Sequence, residues 1–490
     1  MRTRRVALRS LVLSAANALG LAIVALILVL TPRLGVGQVQ SQGAARSGTT
    51  LQPSTRDATA ASEFLASLHD FDYFFGTRAL RHARRALSRD PTLGLARVFA
   101  AGLNPDLSRE ERRAELDHGV FDAARGSASE AVLAMSWRAF IVGDNATGGT
   151  LMRAAGDLMP GDPSFAFRIA ALAPPAERAS TLRAVAEKFP DYGPIYNSLA
   201  YVLPAQGDSA GGLQAAERQP RLAPNDPNPE DTYAELLAWS GRFEEASQHY
   251  RRAVEIASDF ADGYVGSAEV AQMQGHGADA RAYLNDAVRQ ASTATDSITY
   301  LHDIAGSYFY DGKFKEAVAQ LEVVARQAEV RRQPELGARA HRHMALLAGI
   351  LGTKDIATHL SAAAALDTTR LPQELWSALA FAVARQPDKA QPHIDALEQL
   401  AVANDVDARS AGHNVKAIVL LTGKNIGGAQ EELLKGDSTN VLTLALMAEA
   451  SQMAGNPERT RMLRDRVFAR HNLAFLDFER AFAQRRLEKR

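Results

Sequence analysis

Glycines recur at a fixed interval in the middle of this 490-residue chain. Gly207, Gly241 and Gly275 are separated by 241 − 207 = 34 and 275 − 241 = 34 residues. Small residues keep the same phase: Ala200, Ala234 and Ala268 stand seven before each glycine, and Gly212, Ala246 and Ala280 stand five after it. Twelve after it come Gln219, Ala253 and Ala287, with Gln219 the exception. A fourth unit, centred on Gly312, puts Ala305, Ala317 and Val324 at the same offsets. Large residues such as Tyr196, Leu199, Tyr233, Leu237, Tyr250, Tyr264 and Leu284 fill the slots between. So long a period marks a repeated supersecondary unit rather than one helix or strand.

The chain leans on alanine and leucine with few β-branched runs, which argues for helix. Two antiparallel helices approach closely only where their facing residues are small, and glycine allows a tight turn between them. Such a pair cannot bury its apolar face alone and must stack on copies of itself. A coiled coil needs an unbroken seven-residue seam, which this glycine and proline punctuation forbids.

The stretch Glu235–Ala257, ELLAWSGRFEEASQHYRRAVEIA, resembles one unit of the tetratricopeptide repeat family. The resemblance is strongest over 192–325 and implies an all-α fold, an α-α superhelical solenoid. Weaker units are marked by Ala79–Pro91, by Gly143 with Ser136, Gly148 and Ala155, by Gly352 with Ala345, Ala357 and Ala364, and by Gly455 with Ala448. Roughly twelve helix pairs fit between Ala60 and His471, followed by a charged helix from about Ala474. Units near Gln386 and Lys416 depart from the small-residue rule, and a longer connection is expected from Glu329 to Glu335.

Before the repeats, Arg2, Arg4, Arg5 and Arg9 precede Leu11–Leu30, an uncharged stretch that as a helix would span about 30 Å. Residues 1–31 therefore read as a transmembrane anchor or a cleaved signal peptide, 32–59 as a flexible linker and 60–490 as the solenoid. The basic flank orients the segment with its start in the cytoplasm. The expectation is an exported or membrane-anchored bacterial protein: single-pass in the inner membrane with the solenoid outside, or periplasmic or secreted after cleavage.

Composition removes whole classes of function. With no cysteine there is no disulfide framework, thiolate zinc site, iron–sulfur cluster, cysteine nucleophile or lipid-bearing cysteine. A net charge of −1, with both signs mixed throughout, gives no basic face for nucleic acid. Gly207-Asp208-Ser209-Ala210-Gly211 fits the GxSxG pattern, but that nucleophile elbow needs a strand before its serine, and a helical repeat stands there instead. His341 and His343, two apart on a helix, point to different faces. Trp137, Trp239 and Trp376 read as packing residues. No enzyme activity, cofactor or metal is expected.

The family resemblance implies that the first helix of each pair lines a concave groove that holds a partner's peptide or helix. Residues ten, six and three before each glycine share one face of that helix. They are Asn197, Tyr201 and Pro204; Asp231, Glu235 and Ala238; Val265, Glu269 and Gln272; His302, Gly306 and Phe309; and Arg342, Leu346 and Gly349. Asp262 and Arg339 extend two of these sets by three residues. The expected function is a protein-interaction scaffold taking a basic or mixed-charge segment along Asp231, Glu235, Asp262 and Glu269. The alternative is a structural component of an envelope assembly or polysaccharide-export complex.

Overall fold

The computed structural model describes residues 51–402, 406–467 and 478–488. Twenty-five α-helices and no strand occur among them. The first six pairs are α1 (Ala58–Asp72) with α2 (Gly76–Arg89), α3 (Gly94–Leu103) with α4 (Arg109–Ala123), α5 (Ala128–Ile141) with α6 (Asn145–Leu158), α7 (Pro163–Ala171) with α8 (Arg178–Lys188), α9 (Gly193–Ala205) with α10 (Ser209–Leu222), and α11 (Pro227–Trp239) with α12 (Phe243–Ile256). The next six are α13 (Ala261–Met273) with α14 (Gly277–Gln290), α15 (Ala294–Tyr310) with α16 (Phe314–Val330), α17 (Pro334–Leu351) with α18 (Ile356–Leu366), α19 (Arg370–Val383) with α20 (Pro387–Val402), α21 (Val406–Thr422) with α22 (Ile426–Lys435), and α23 (Val441–Met453) with α24 (Pro457–Val467). A last helix, α25, runs Phe478–Glu488. Among the described residues the fold is an α-α solenoid of twelve tetratricopeptide-like helix pairs.

Local chemistry sets the boundaries. Ser108 and Ser127 each form a capping box with the glutamate three residues on. Asp144, Asp162 and Asp208 cap their helices by accepting a backbone N–H. Gly143, Gly207, Gly241, Gly275, Gly312, Gly352 and Gly455 all have φ between +72° and +93°, the left-handed turn that their spacing predicts. In three of the pairs lacking the glycine, Phe74 (φ +60°), Arg385 (φ +58°) and Lys424 (φ +62°) take the same conformation at a cost glycine would not bear. Lys424→Gly is therefore expected to raise stability by about 1 kcal/mol, read as a higher urea midpoint with unchanged slope. A lower midpoint would mean that the lysine side chain matters more than its backbone.

The small residues sit where helices meet. Ala200, Ala234, Ala268, Ala305 and Ala345 on first helices are fully buried, as are Ala246, Ala280 and Ala317 on second helices. Two details depart from the sequence reading. Around Gly352, Ala357 and Ala364 are exposed while Ile356, Leu360 and Ala363 are buried. Thr353–Asp355 lengthen the turn before α18 and shift its inward face by one residue. Nor is there a long connection after Glu329: α16 and α17 grow to 17 and 18 residues, and only Arg331–Gln333 link them.

No helix among the described residues is long and apolar enough to cross a membrane. In α17, the longest at 18 residues, Glu335, Arg339 and Arg342 interrupt the apolar run. This corrects the localisation expected above, a single-pass inner-membrane protein or its periplasmic or secreted form. The stretch Leu11–Leu30, on which that expectation rested, lies outside the described residues.

The chain divides into two compact units. The amino-terminal unit contains the described residues up to Leu237 together with Gln248–Phe260. Its core centres on Phe64, Phe71, Phe99 and Trp137, with Phe71 and Trp137 ring centroids 4.9 Å apart. Its first pair also meets the last of its residues: Phe75 packs edge-on to Phe260 at 5.1 Å, and Arg81 pairs with Asp259 at 2.5 Å. The carboxy-terminal unit contains Ala238–Ser247 and the described residues from Ala261 onward. There α25 leaves the stacking order and packs against α15 and α23.

Candidate functional site

In the amino-terminal unit, the first-helix positions singled out by the repeat are joined from pair to pair. Asn197 on α9 donates through Nδ2 to Asn228 Oδ1 (2.9 Å) and Thr232 Oγ1 (2.8 Å) on α11. One turn on, the Tyr201 hydroxyl donates to Glu235 Oε2 at 2.6 Å. Burial, then the Glu235 charge, hold that hydroxyl well above the ordinary tyrosine value. Asp231 is buried, and Glu235 is half-buried.

The same unit contains a polar network that no short-range pattern announces. Arg168 on α7 pairs with the Asp72 carboxylate at the end of α1, whose other oxygen accepts the Tyr192 hydroxyl at 2.6 Å. A cavity of about 270 Å³ opens beside it, lined by Leu65, Leu68, Trp137, Phe165 and Arg168 and covered by Leu51. The residues that follow Leu51 are anchored where Ser54 N donates to Glu130 Oε1 (2.7 Å) and Thr55 Oγ1 to Asp90 Oδ2 (2.5 Å). Nearby, His69, Asp70 and Asp226 offer three ligand atoms within 4.8 Å of one another. Arg78 already serves both carboxylates, Nε to Asp70 at 2.8 Å and Nη2 to Asp226 at 3.2 Å. That guanidinium supplies the positive charge a metal ion would bring.

In the carboxy-terminal unit, Asp262 is half-buried and Glu269 only 3% exposed. Gln272 bridges to the next pair, donating to Asp311 (2.9 Å) and accepting from Ser307 (2.6 Å), while Arg281 bonds both of those residues. Arg342 is buried and pairs with Asp367 at 2.9 Å, so its charge is spent on the following connection. Arg339 is half-buried. His341 and His343 do point apart: His341 lies 3.4 Å from His359, and His343 lies 2.8 Å from His302.

His302 and Phe309 meet the side chain that sequence reasoning did not connect to them, Phe478 of α25. Its ring stacks on His343 at 4.4 Å and lies 5.2 Å from His302 and 5.0 Å from Phe309. At the other end of the helix, Arg486 Nε donates to Glu449 Oε2 on α23 at 2.8 Å. The first helices of this unit thus carry a helix across them. Phe478 and Phe482, one turn apart, were the available hint, masked by the charges around them.

Burial, with Arg339 and His343 adding to it, pushes the His302 imidazole well below its ordinary value. A histidine held neutral in the native state takes up its proton more readily when unfolded. Its contribution is therefore complete above about pH 6.5 and is lost as pH falls below that value. The urea midpoint of the carboxy-terminal unit is expected to fall between about pH 6.5 and 5, and His302→Gln to flatten that fall. An identical pH slope in the variant would assign the effect to other groups.

No family model matches this sequence, and no curated protein matches it. Among solved structures, a chain of the APC/C hetero-tetramer Cut9-Hcn1 is similar, with a TM-score of 0.39 and 15% identity, over 85% of this chain and 78% of that one. So loose a likeness carries no argument about partners. What defines the class is the chain's own architecture: an α-α solenoid of tetratricopeptide-like pairs, a fold suited to holding other polypeptides. Gly207–Gly211, the GxSxG match, lies at the turn between α9 and α10, with Asp208 capping α10 through the Gly211 N–H at 2.8 Å.

Proposed function

We propose that the chain is a protein-interaction scaffold that binds a peptide or helix of a partner protein on the faces built from its first helices. The supporting observation is α25, a helix of 11 residues seated across first helices of its own unit. A surface that accepts one helix has the width, the apolar pockets and the flanking charge that such ligands need. The half-buried carboxylates on the same faces, Glu235 in one unit and Asp262 in the other, favour a partner segment of basic or mixed charge.

The test places a photo-crosslinking residue at Tyr201 or Asp262 on first helices, or at the exposed Arg221 or Arg289 on second helices. Crosslinks to other proteins are expected at the first-helix positions and to weaken as salt rises. Equal yields on both helices of a pair would overturn the assignment.

A further inference from the structure

The seat of α25 carries information about what else it would hold. Phe478 fills an aromatic and imidazole pocket made by His302, Phe309 and His343. Two turns on, Arg486 reaches Glu449, whose side chain is only 3% exposed. Beside it the guanidinium of Arg485 lies over Phe314 at 5.9 Å. Between these ends Ala481 and Phe482 pack into the core of the unit. One residue of the helix has neither of its side-chain polar atoms bonded. Gln484 is 0% exposed, and neither its Oε1 nor its Nε2 has a hydrogen-bond partner. A buried amide without partners is a standing cost that native packing ordinarily avoids. The misfit belongs to the occupant and not to the seat, because an apolar side chain at that position would remove it.

We infer that this seat is a docking site for an amphipathic helix of a partner protein, and that α25 is its resident, displaceable occupant. The inference rests on the scaffold reading above and narrows the partner. It is a helix presenting an aromatic residue, a second apolar residue one turn on, an apolar residue where α25 has Gln484, and an arginine two turns from the aromatic. The aromatic enters the His302–Phe309–His343 pocket, and the arginine pairs with Glu449. A helix with that pattern binds better than α25 itself and competes with it. The local concentration of a tethered segment keeps α25 in place until such a helix arrives.

The probe is a fluorescent synthetic peptide of the Phe478–Arg490 sequence carrying Gln484→Met, titrated into the full chain and followed by anisotropy. Binding is expected to be about tenfold tighter to a chain carrying Phe478→Ala, which loosens the resident helix, than to the unaltered chain. It is expected to be about tenfold weaker to a chain carrying Gln484→Met, which seats the resident helix more firmly. Glu449→Gln should weaken the peptide, and a scrambled peptide should not bind. The Gln484→Met chain keeps α25 docked and remains decisive if Phe478→Ala fails to fold.

Equal binding to all three chains, or binding of the scrambled peptide, would overturn the inference. So would a dimer held by exchange of α25 between two copies, since the partner would then be this chain itself. If partners crosslink to first helices while the peptide never binds, the scaffold reading stands and this site falls. The reverse pattern would keep the site and remove the scaffold reading.

Discussion

Replacing Arg168 with alanine is expected to destabilise the amino-terminal unit by about 3–5 kcal/mol, the usual cost of leaving a buried charge without its partner. Both Arg168 and Asp72 are only 8% exposed. The guanidinium also lies over the rings of Phe71 (5.1 Å) and Trp137 (5.2 Å), so packing is lost along with charge. Burial already raises the Asp72 carboxyl above its ordinary value, against the pull of Arg168 and the Tyr192 hydrogen bond. Without Arg168 that carboxyl rises further and can escape its isolation by taking a proton. A raised carboxyl favours the native state at low pH and loses that favour as pH rises. The deficit of the variant relative to the parent should therefore shrink as the buffer is acidified. Arg168→Met combined with Asp72→Leu, which removes both charges, should fall within about 2 kcal/mol of the parent. Urea unfolding followed by far-ultraviolet dichroism reads all three chains. A loss below about 1 kcal/mol for Arg168→Ala would mean that the pair is solvated.

Glycine to alanine should act with opposite signs at two places in the same unit. A Cβ at Gly94 would stand 2.2 Å from Ala123 N, 2.3 Å from Gly119 O and 2.8 Å from Asp122 C. All three are backbone atoms of α4 or its end and cannot rotate away, so α3 and α4 must separate. Gly94→Ala is expected to cost about 3 kcal/mol, the upper end of ordinary overpacking. At Gly76, in the first turn of α2, the added methyl meets nothing within 4 Å. There the same substitution should stabilise by about 0.5–1 kcal/mol, because alanine loses less backbone freedom on entering a helix. Unfolding midpoints moving in the same direction for both variants would contradict the close approach of α3 and α4.

The repeat was legible because its information is local. Each turn glycine and each small residue seven before or five after it is fixed by the geometry of one pair, so Ala200, Ala234 and Ala268 could be aligned without any tertiary knowledge. The count of roughly twelve pairs followed from that phase. Where the phase slips, the reading slipped too: Ala357 and Ala364 were one residue out because the turn after Gly352 is longer. The first-helix face was legible as a set of residues sharing one side of a helix. Their burial and partners were not, since Gln272 meets Asp311 in the next pair and Arg342 meets Asp367 beyond α18. Least legible was α25. Phe478 and Phe309 are 478 − 309 = 169 residues apart, and no period links them. The pairing of Asp72 with Arg168 was hidden for the same reason.

Because the chain has no cysteine of its own, introduced pairs can be read without background. Glu449→Cys with Arg486→Cys, treated with a short bis-maleimide and mapped by peptide mass spectrometry, asks directly whether α25 lies across the first helices. If it does, one intramolecular link between α23 and α25 forms in high yield in the monomer. No link above that of a control pair placing the second cysteine at the exposed Arg461 would contradict the account.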